Sequence, residues 1–227
     1  MVKEIIELFK NKTQINACFF GDSVTQGLFA NFVNAPGSNY QAVYHNRLKN
    51  KINGYFPAHR FNVINAGVGG DNAKAGLARI DKEVLNLNPD FVVVCFGLND
   101  ITGTKEDYIS NLKEIFTKLN NAKIPTIFMT PNMLNIDTKG NILEMYAEFA
   151  KKTMEYQLGG RMDDYMQSAI AVATECGVTV CDCYGKWKAL YNAGVNTSWL
   201  LANGINHPTE EMHQLFADQL FETIFFD

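Results

Sequence analysis

The chain has 227 residues, of which 47% are hydrophobic and 19% are charged, and its formal net charge is −4. This length suits one α/β domain or at most two small ones, with enough apolar residues for a sizeable core. The slightly acidic charge and the scattered Lys and Arg residues exclude a basic surface for nucleic acid, and no apolar run is long enough for a membrane span.

The first predicted element is an amphipathic helix within the segment MVKEIIELFKNKTQ. Its apolar residues recur at helical spacing and are separated by charged ones, which is unlike the pattern of a signal peptide. We therefore expect this helix to pack on the domain rather than to direct secretion.

Five short apolar runs follow, and each is predicted to be a strand buried on both faces because it is continuous rather than alternating. The runs are NACFFG (16–21), FNVINAG (61–67), FVVVCFG (91–97), IPTIFMT (124–130) and VTVCDC (178–183). Helical spacing covers approximately residues 39–53, 71–87, 105–121, 144–176 and 209–225. This alternation predicts a parallel sheet with helices on both sides.

The chain contains no repeat and no linker-like segment, so a single domain is predicted over residues 1–227. Two connections, residues 27–38 and 131–143, are longer than the others and follow predicted strands. Ligands bind at the carboxyl ends of strands in open α/β sheets, so these connections are candidate walls of a pocket.

The five cysteines are an odd number, which favours reduced thiols and a cytoplasmic location. Cys181 and Cys183 form a C-x-C pair near the end of the fifth predicted strand. A zinc site would need a second pair of ligands at suitable spacing, and the sequence has none. These two residues are therefore interpreted as small apolar residues rather than as metal ligands.

Polar residues suited to chemistry follow three of the predicted strands. Ser23 lies in GDS after the first strand, Gly70 in NAGVGGD after the second, and Asn99 in GLND after the third. His207, in NGINHP, precedes the last helix. Each has a structural interpretation on its own, as a helix cap, a turn former or a surface residue.

Taken together, these four residues are typical of acyl transfer. Serine is a weak nucleophile until a base removes its proton, and His207 suits that task near neutral pH. The oxyanion that forms needs N–H donors, which the backbone of Ser23, the backbone of Gly70 and the side chain of Asn99 would supply. The sequence therefore predicts a serine esterase.

The same motifs closely resemble those of the SGNH hydrolases, also called the GDSL lipase/esterase family. GDS followed by QG is similar to the first block of that family, NAGVGGD to the second and GLND to the third, and the resemblance extends from about residue 15 to 225. It implies a three-layer α/β/α sandwich, flavodoxin-like, with a five-stranded parallel sheet of order 2-1-3-4-5. It also implies hydrolysis of esters or thioesters through an acyl-enzyme, with no metal and no cofactor.

The fourth block departs from the D-x-x-H-P pattern of the family. Gly204 stands where the acid is expected, and an alignment with one inserted residue puts Asn203 there. The sequence therefore predicts a Ser–His dyad, with Asn203 as a candidate third member that orients His207 through its side-chain oxygen. A carboxylate from elsewhere, such as Asp182 or Glu210, is an alternative, although Asp182 is better explained as a cap or turn residue.

Several other titratable residues are given supporting roles. Asp22 and Asp100 lie inside the matched motifs and are expected to make turn and hydrogen-bond contacts rather than to transfer protons. His213 is predicted to be structural within the last helix, and His45 and His59 are predicted to lie on the surface.

The substrate is predicted only by class, a small-molecule ester, and the oligomeric state is not predicted. Residues 27–38 and 131–143 mix apolar side chains with Asn and Ser, which favours a small acyl group on a polar alcohol, such as an O-acetylated carbohydrate. Lysophospholipase or thioesterase activity, and a catalytically impaired carbohydrate- or ligand-binding module, are alternatives. A flavodoxin-like nucleotide or flavin binder is disfavoured because both glycine fingerprints for nucleotides are missing.

Overall fold

The computed structural model describes residues 2–29, 39–140 and 142–226. Five parallel strands form one sheet in the order β2-β1-β3-β4-β5. The strands are β1 (Gln14–Gly21), β2 (Arg60–Gly67), β3 (Phe91–Cys95), β4 (Thr126–Met129) and β5 (Thr179–Cys181). The strand order, the parallel pairing and the helices around the sheet confirm the predicted α/β/α fold class.

Helices cover both faces of the sheet. Those within the described residues are α1 (Val2–Asn11), α2 (Ser23–Gln26), α3 (Tyr44–Tyr55), α4 (Ala73–Glu83), α5 (Lys105–Asn121), α6 (Ala147–Leu158), α7 (Arg161–Glu175), α8 (Cys183–Asn192) and α9 (Met212–Phe225). Helices α1 and α3 pack against α9 in one layer, and α4 and α7 pack against α5 in the other. The predicted N-terminal helix is confirmed as α1, which buries Ile5 and Phe9.

Two helical predictions differ from the structure. The single helix predicted over 144–176 is two helices, α6 and α7, because Gly159 and Gly160 interrupt it and Gly160 adopts a left-handed conformation with φ of 78°. Helix α8 was not predicted, since its short pattern directly follows the fifth strand.

The sheet brings the ends of three strands to one level. Gly21 is aligned with Gly67 of β2 and with Cys95 of β3, so the segments that follow all begin at the same edge. Strand β3 is buried along its whole length. The polar residues that follow β1, β2 and β3 are therefore held on a rigid core.

No helix within the described ranges is long and apolar enough to cross a membrane. The single domain predicted for residues 1–227 stays a prediction.

Candidate active site

Ser23 is the first residue of the one-turn helix α2, directly after β1. Asp22 is the N-cap and accepts the Val24 N–H at 3.0 Å, and Gly27 ends the helix with φ of 100°. The first N–H groups of a helix have no partner within the helix, so the backbone N–H of Ser23 points out of its N-terminus. The site therefore begins with a hydroxyl and an N–H group on the same residue.

Glycines at the strand ends allow α2 to lie against the sheet. A Cβ atom at Gly67 would lie 2.2 Å from the backbone N of Gln26, and one at Gly21 would lie 2.3 Å from Oγ1 of Thr25. Any larger residue at either position would displace α2. Because Gly21 and Gly67 have no side chains, α2 can approach the sheet closely enough to place Ser23 beside the end of β2.

The connection between β2 and α4, residues 67–72, is called the glycine loop below. The N–H of Gly67 donates to Oδ1 of Asn65 at 3.0 Å, and the N–H of Gly69 donates to Oε1 of Gln26 at 2.6 Å. Gly70 is exposed, with φ of 81°, and no acceptor for its N–H occurs among the described residues. The loop therefore leaves this N–H available to a ligand.

Asn99 is held against the glycine loop rather than capping a helix. Its Nδ2 donates to the carbonyl oxygen of Asp71 at 2.7 Å. An amide nitrogen carries two hydrogens, so this bond orients the group and leaves the second hydrogen for another acceptor.

His207 meets Ser23 across 184 residues of sequence. The Oγ atom of Ser23 lies 2.9 Å from Nε2 of His207. The two residues are 3% and 6% exposed, so their hydrogen bond is largely shielded from competing water. The structure thus brings together the hydroxyl and the imidazole that the sequence predicted.

His207 lies in a tight turn, residues 201–208, called the histidine turn. Asn203 organises this turn through its side-chain oxygen, which accepts the backbone N–H groups of Ile205, Asn206 and His207 at 3.0, 2.9 and 2.9 Å. Its Nδ2 donates to Oδ1 of Asn206 at 2.9 Å. The contribution of Asn203 therefore acts through the backbone of the turn.

The connection after β4 holds the histidine turn through two hydrogen bonds. Nδ2 of Asn132 donates to the carbonyl of Asn206 at 2.9 Å, and the N–H of Asn135 donates to the carbonyl of Ile205 at 2.9 Å. Both asparagines are fully buried. These bonds connect β4 to the two residues that precede His207.

The pocket walls predicted from the two long connections need correction. Met133 and Leu134 were expected to line a pocket, but both are buried in the hydrophobic core. The other predicted wall, residues 27–38, lies outside the described residues from position 30 onward, which includes Asn31, Phe32, Val33, Asn34 and Ser38.

The alternative carboxylates make other contacts. Asp182 caps α8 by accepting the Gly185 N–H at 3.0 Å, as predicted, and also accepts the Thr130 hydroxyl at 2.9 Å. Glu210 accepts Nδ2 of Asn39 at 2.9 Å.

Asp22 and Asp100 are buried carboxyl groups, and both make the hydrogen bonds that the sequence predicts. Oδ1 of Asp100 accepts the Ala73 N–H at 2.9 Å, as Oδ1 of Asp22 accepts that of Val24. Burial raises the pKa of Asp100 to about 7. Burial raises the pKa of Asp22 to about 7 as well, and the nearby charge of Asp100 adds to the increase.

The remaining histidines are structural. His213 lies buried in α9, as predicted, and its Nδ1 accepts the Tyr44 N–H at 3.1 Å. The surface prediction for His45 is wrong, because this residue is 1% exposed and its Nε2 lies 3.1 Å from the carbonyl oxygen of Thr25. His59 is half-buried and contacts the carbonyl of Phe9.

The family model for the GDSL-like Lipase/Acylhydrolase family matches residues 19–215, which contain all of these site elements. The chain belongs to this family. It is therefore grouped with hydrolases that act on acyl esters.

Solved structures agree with this GDSL-family fold. LAE5, an α/β hydrolase from the metagenome of Lake Arreo, Spain, is 22% identical with a TM-score of 0.71, and the match covers 92% of this chain and 94% of LAE5. Axe2, an acetylxylan esterase from Geobacillus stearothermophilus, is 19% identical with a TM-score of 0.71 over 94% and 95% of the two chains. The two-domain esterase CEX, active on acetylated mannans, is 19% identical with a TM-score of 0.69, and the match covers all of this chain and 53% of CEX. No curated protein matches significantly.

Sequence reasoning missed several supporting residues of this GDSL-type site. Gln26 was part of the quoted motif, yet its contact with Gly69 depends on how α2 faces the glycine loop. Asn132 and Asn135 lie in a loop that the sequence pattern predicts only to be a pocket wall. Their Asn-rich surroundings, PNMLN, were the only sequence signal.

Proposed function

We propose that the chain is a serine esterase in which Ser23 is the nucleophile and His207 is the general base. The distance of 2.9 Å between Ser23 Oγ and His207 Nε2 carries this proposal. It is within the range in which imidazole removes a hydroxyl proton.

The proposed reaction has two halves. His207 takes the hydroxyl proton while Ser23 Oγ bonds to the ester carbonyl carbon, and the N–H groups of Ser23, Gly70 and Asn99 stabilise the oxyanion. The C–O bond then breaks, the alcohol leaves with the proton from His207, and an acyl-enzyme remains. Water, deprotonated by His207, attacks the acyl carbon. The bond between that carbon and Ser23 Oγ then breaks, His207 returns the proton to Oγ, and the carboxylic acid leaves.

Asn203 serves this reaction as a positioning residue. With one inserted residue it aligns with the usual acid, and its side-chain oxygen accepts three backbone N–H groups of the turn that carries His207. Asn203 carries no charge, so its contribution to the reaction is to the position of His207 and not to the charge of the imidazolium.

The favoured substrate is a small acyl ester, with an O-acetyl group on a carbohydrate as the first class to test. Support comes from two proteins with a similar fold, the acetylxylan esterase Axe2 and the esterase CEX, which is active on acetylated mannans. A cytoplasmic location stays part of the proposal, and the five cysteines are all unpaired, in keeping with a reducing compartment.

The deciding experiment compares wild type with Ser23→Ala and His207→Ala on p-nitrophenyl acetate, butyrate and octanoate and on acetylated xylo-oligosaccharides. Both variants should lose about 10³-fold or more in kcat. Ser110→Ala, at an exposed position of α5, is the matched serine control and should keep full activity. Full activity in Ser23→Ala would remove Ser23 from the mechanism.

The competing function, an impaired binding module, is favoured by the missing acid at the position of Gly204. A fluorophosphonate probe separates the two. An esterase becomes labelled stoichiometrically at Ser23, whereas an inactive module stays unlabelled while still binding acetylated oligosaccharide.

A further inference from the structure

Arg79 lies outside every motif of the family resemblance. It is on α4, eight residues after Asp71, and its side chain is 13% exposed. Its guanidinium group donates to four different acceptors, which leaves it little freedom to move.

Two of these bonds reach the ends of strands. Nη2 donates to the carbonyl of Gly21 at 2.9 Å, and Nη1 donates to the carbonyl of Ala66 at 2.8 Å. The guanidinium also lies over the ring of Phe20, 4.7 Å from its centroid. Arg79 thus holds the end of β1, two residues before Ser23, against the end of β2.

A third bond reaches the glycine loop. Nε of Arg79 donates to Oδ2 of Asp71 at 2.7 Å, and Asp71 is only 16% exposed, so water screens this ion pair poorly. Asp71 directly follows Gly70, and its carbonyl is the acceptor that orients Asn99. Arg79 is therefore bonded to the segments that carry the Ser23 and Gly70 N–H donors, and through Asp71 it is connected to the residue that orients the Asn99 donor.

We propose that Arg79 is a positioning residue that sets the spacing between Ser23, Gly70 and Asn99. This inference rests on the proposed function, because the three groups matter only if an oxyanion forms between them. A planar fork with several N–H groups can make these bonds at once, whereas the single ammonium of lysine cannot.

The first test measures kcat and KM of Arg79→Lys on p-nitrophenyl acetate. Misplaced donors stabilise the transition state less while ground-state binding is kept, so kcat should fall about 10- to 100-fold with KM changed by less than about 3-fold. Glu83→Gln removes only the charge of the fourth acceptor, which lies on α4 itself and contacts neither strand end nor the glycine loop, and it should keep the wild-type kcat. A wild-type kcat in Arg79→Lys overturns the proposal.

A double-mutant cycle with Asn99→Ala separates positioning from general structural support. Asn99→Ala should itself cost about 10²- to 10³-fold in kcat. If Arg79 acts through the donors, the fold loss in kcat caused by Arg79→Lys should be less than a third as large in the Asn99→Ala background as in wild type. An equal cost in both backgrounds overturns the proposal.

Asp71→Asn repeats the cycle without touching the strand ends, and it decides the question if Arg79→Lys does not fold. It should lower kcat with little change in KM and show the same non-additivity with Asn99→Ala.

Ser23→Ala distinguishes the two proposals. If Ser23→Ala is active, the esterase mechanism fails; if Ser23→Ala is inactive and the Arg79 and Asp71 variants behave as wild type, only the positioning inference fails.

Discussion

At the scale of single residues, Asn203 shapes the turn that carries His207. An acid in this position would act on the imidazole ring, but the amide oxygen of Asn203 acts on the backbone on either side of Asn206. The side chain holds the turn in shape, and Asn132 adds a bond from the neighbouring loop. In the proposed mechanism, Asn203 therefore contributes through the shape of the turn.

Asn203→Ala and Asn203→Asp should therefore behave differently. Alanine leaves three backbone N–H groups without their acceptor, so kcat should fall about 10- to 100-fold as His207 moves. Aspartate keeps the accepting oxygen, so kcat should stay within about 5-fold of wild type. Steady-state kinetics on p-nitrophenyl acetate provide the measurement, and equal losses in both variants would contradict a backbone role.

The sequence could predict Ser23, Gly70, Asn99 and His207 because each lies in a short motif with its own chemistry. Arg79 could not be predicted in this way. Its importance comes from acceptors on three separate segments, and a lysine- and glutamate-containing helix such as α4 offers many equivalent charges. Residues that act by contact geometry leave no local pattern.

At the scale of elements, the central strands β1, β3 and β4 were predictable because buried parallel strands are continuous apolar runs. The prediction of burial on both faces is wrong for β2 and β5, which lie at the edges of the sheet and are only partly buried. The boundaries of the helices were harder to predict. The apolar spacing of α6 continues into α7, and only the paired glycines mark the break. The Asn-rich loop after β4 was misread because its polar residues bond to buried backbone rather than to solvent or substrate.

The contact between α2 and β2 gives a prediction at this scale. Gly67→Ala places a Cβ atom 2.2 Å from the backbone of Gln26, so α2 must shift. We expect a loss of about 1–3 kcal/mol in the free energy of unfolding, together with a lower kcat because Ser23 moves with α2.

Gly54→Ala is the matched control. A Cβ atom there meets nothing within 4 Å, and Gly54 lies within α3, so the protein should become more stable by about 0.5–1 kcal/mol with unchanged kcat. Urea denaturation and steady-state kinetics measure both variants. A Gly67→Ala protein as stable and active as wild type would show that α2 adjusts freely.

At the scale of the whole molecule, buried titratable groups make stability depend on pH in two opposite ways. Burial lowers the pKa of His213 to about 3, so its stabilising contribution is complete above pH 6.5 and is lost as the pH falls toward 3. The raised pKa of Asp100, about 7, means that its contribution is complete below pH 3.8 and is lost as the pH rises to about 7.

Two variants separate these contributions. Asn at position 213 can accept the Tyr44 N–H without titrating, so His213→Asn should gain stability relative to wild type as the pH falls from 7 to 4. Asp100→Asn keeps an oxygen for the Ala73 N–H and should gain relative to wild type as the pH rises from 4 to 8. Urea denaturation at pH 4, 5.5, 7 and 8 gives the differences. If the free energy of unfolding of each variant differs from that of wild type by the same amount at every pH, neither group titrates as stated.

The separation of 184 residues between the two partners of the Ser23–His207 pair has a consequence for biosynthesis. A ribosome completes the first strand and α2 long before it adds the histidine turn. Under the proposed mechanism, the nascent protein is therefore inert toward esters around it, and hydrolysis starts only when the histidine turn has emerged and folded against Ser23.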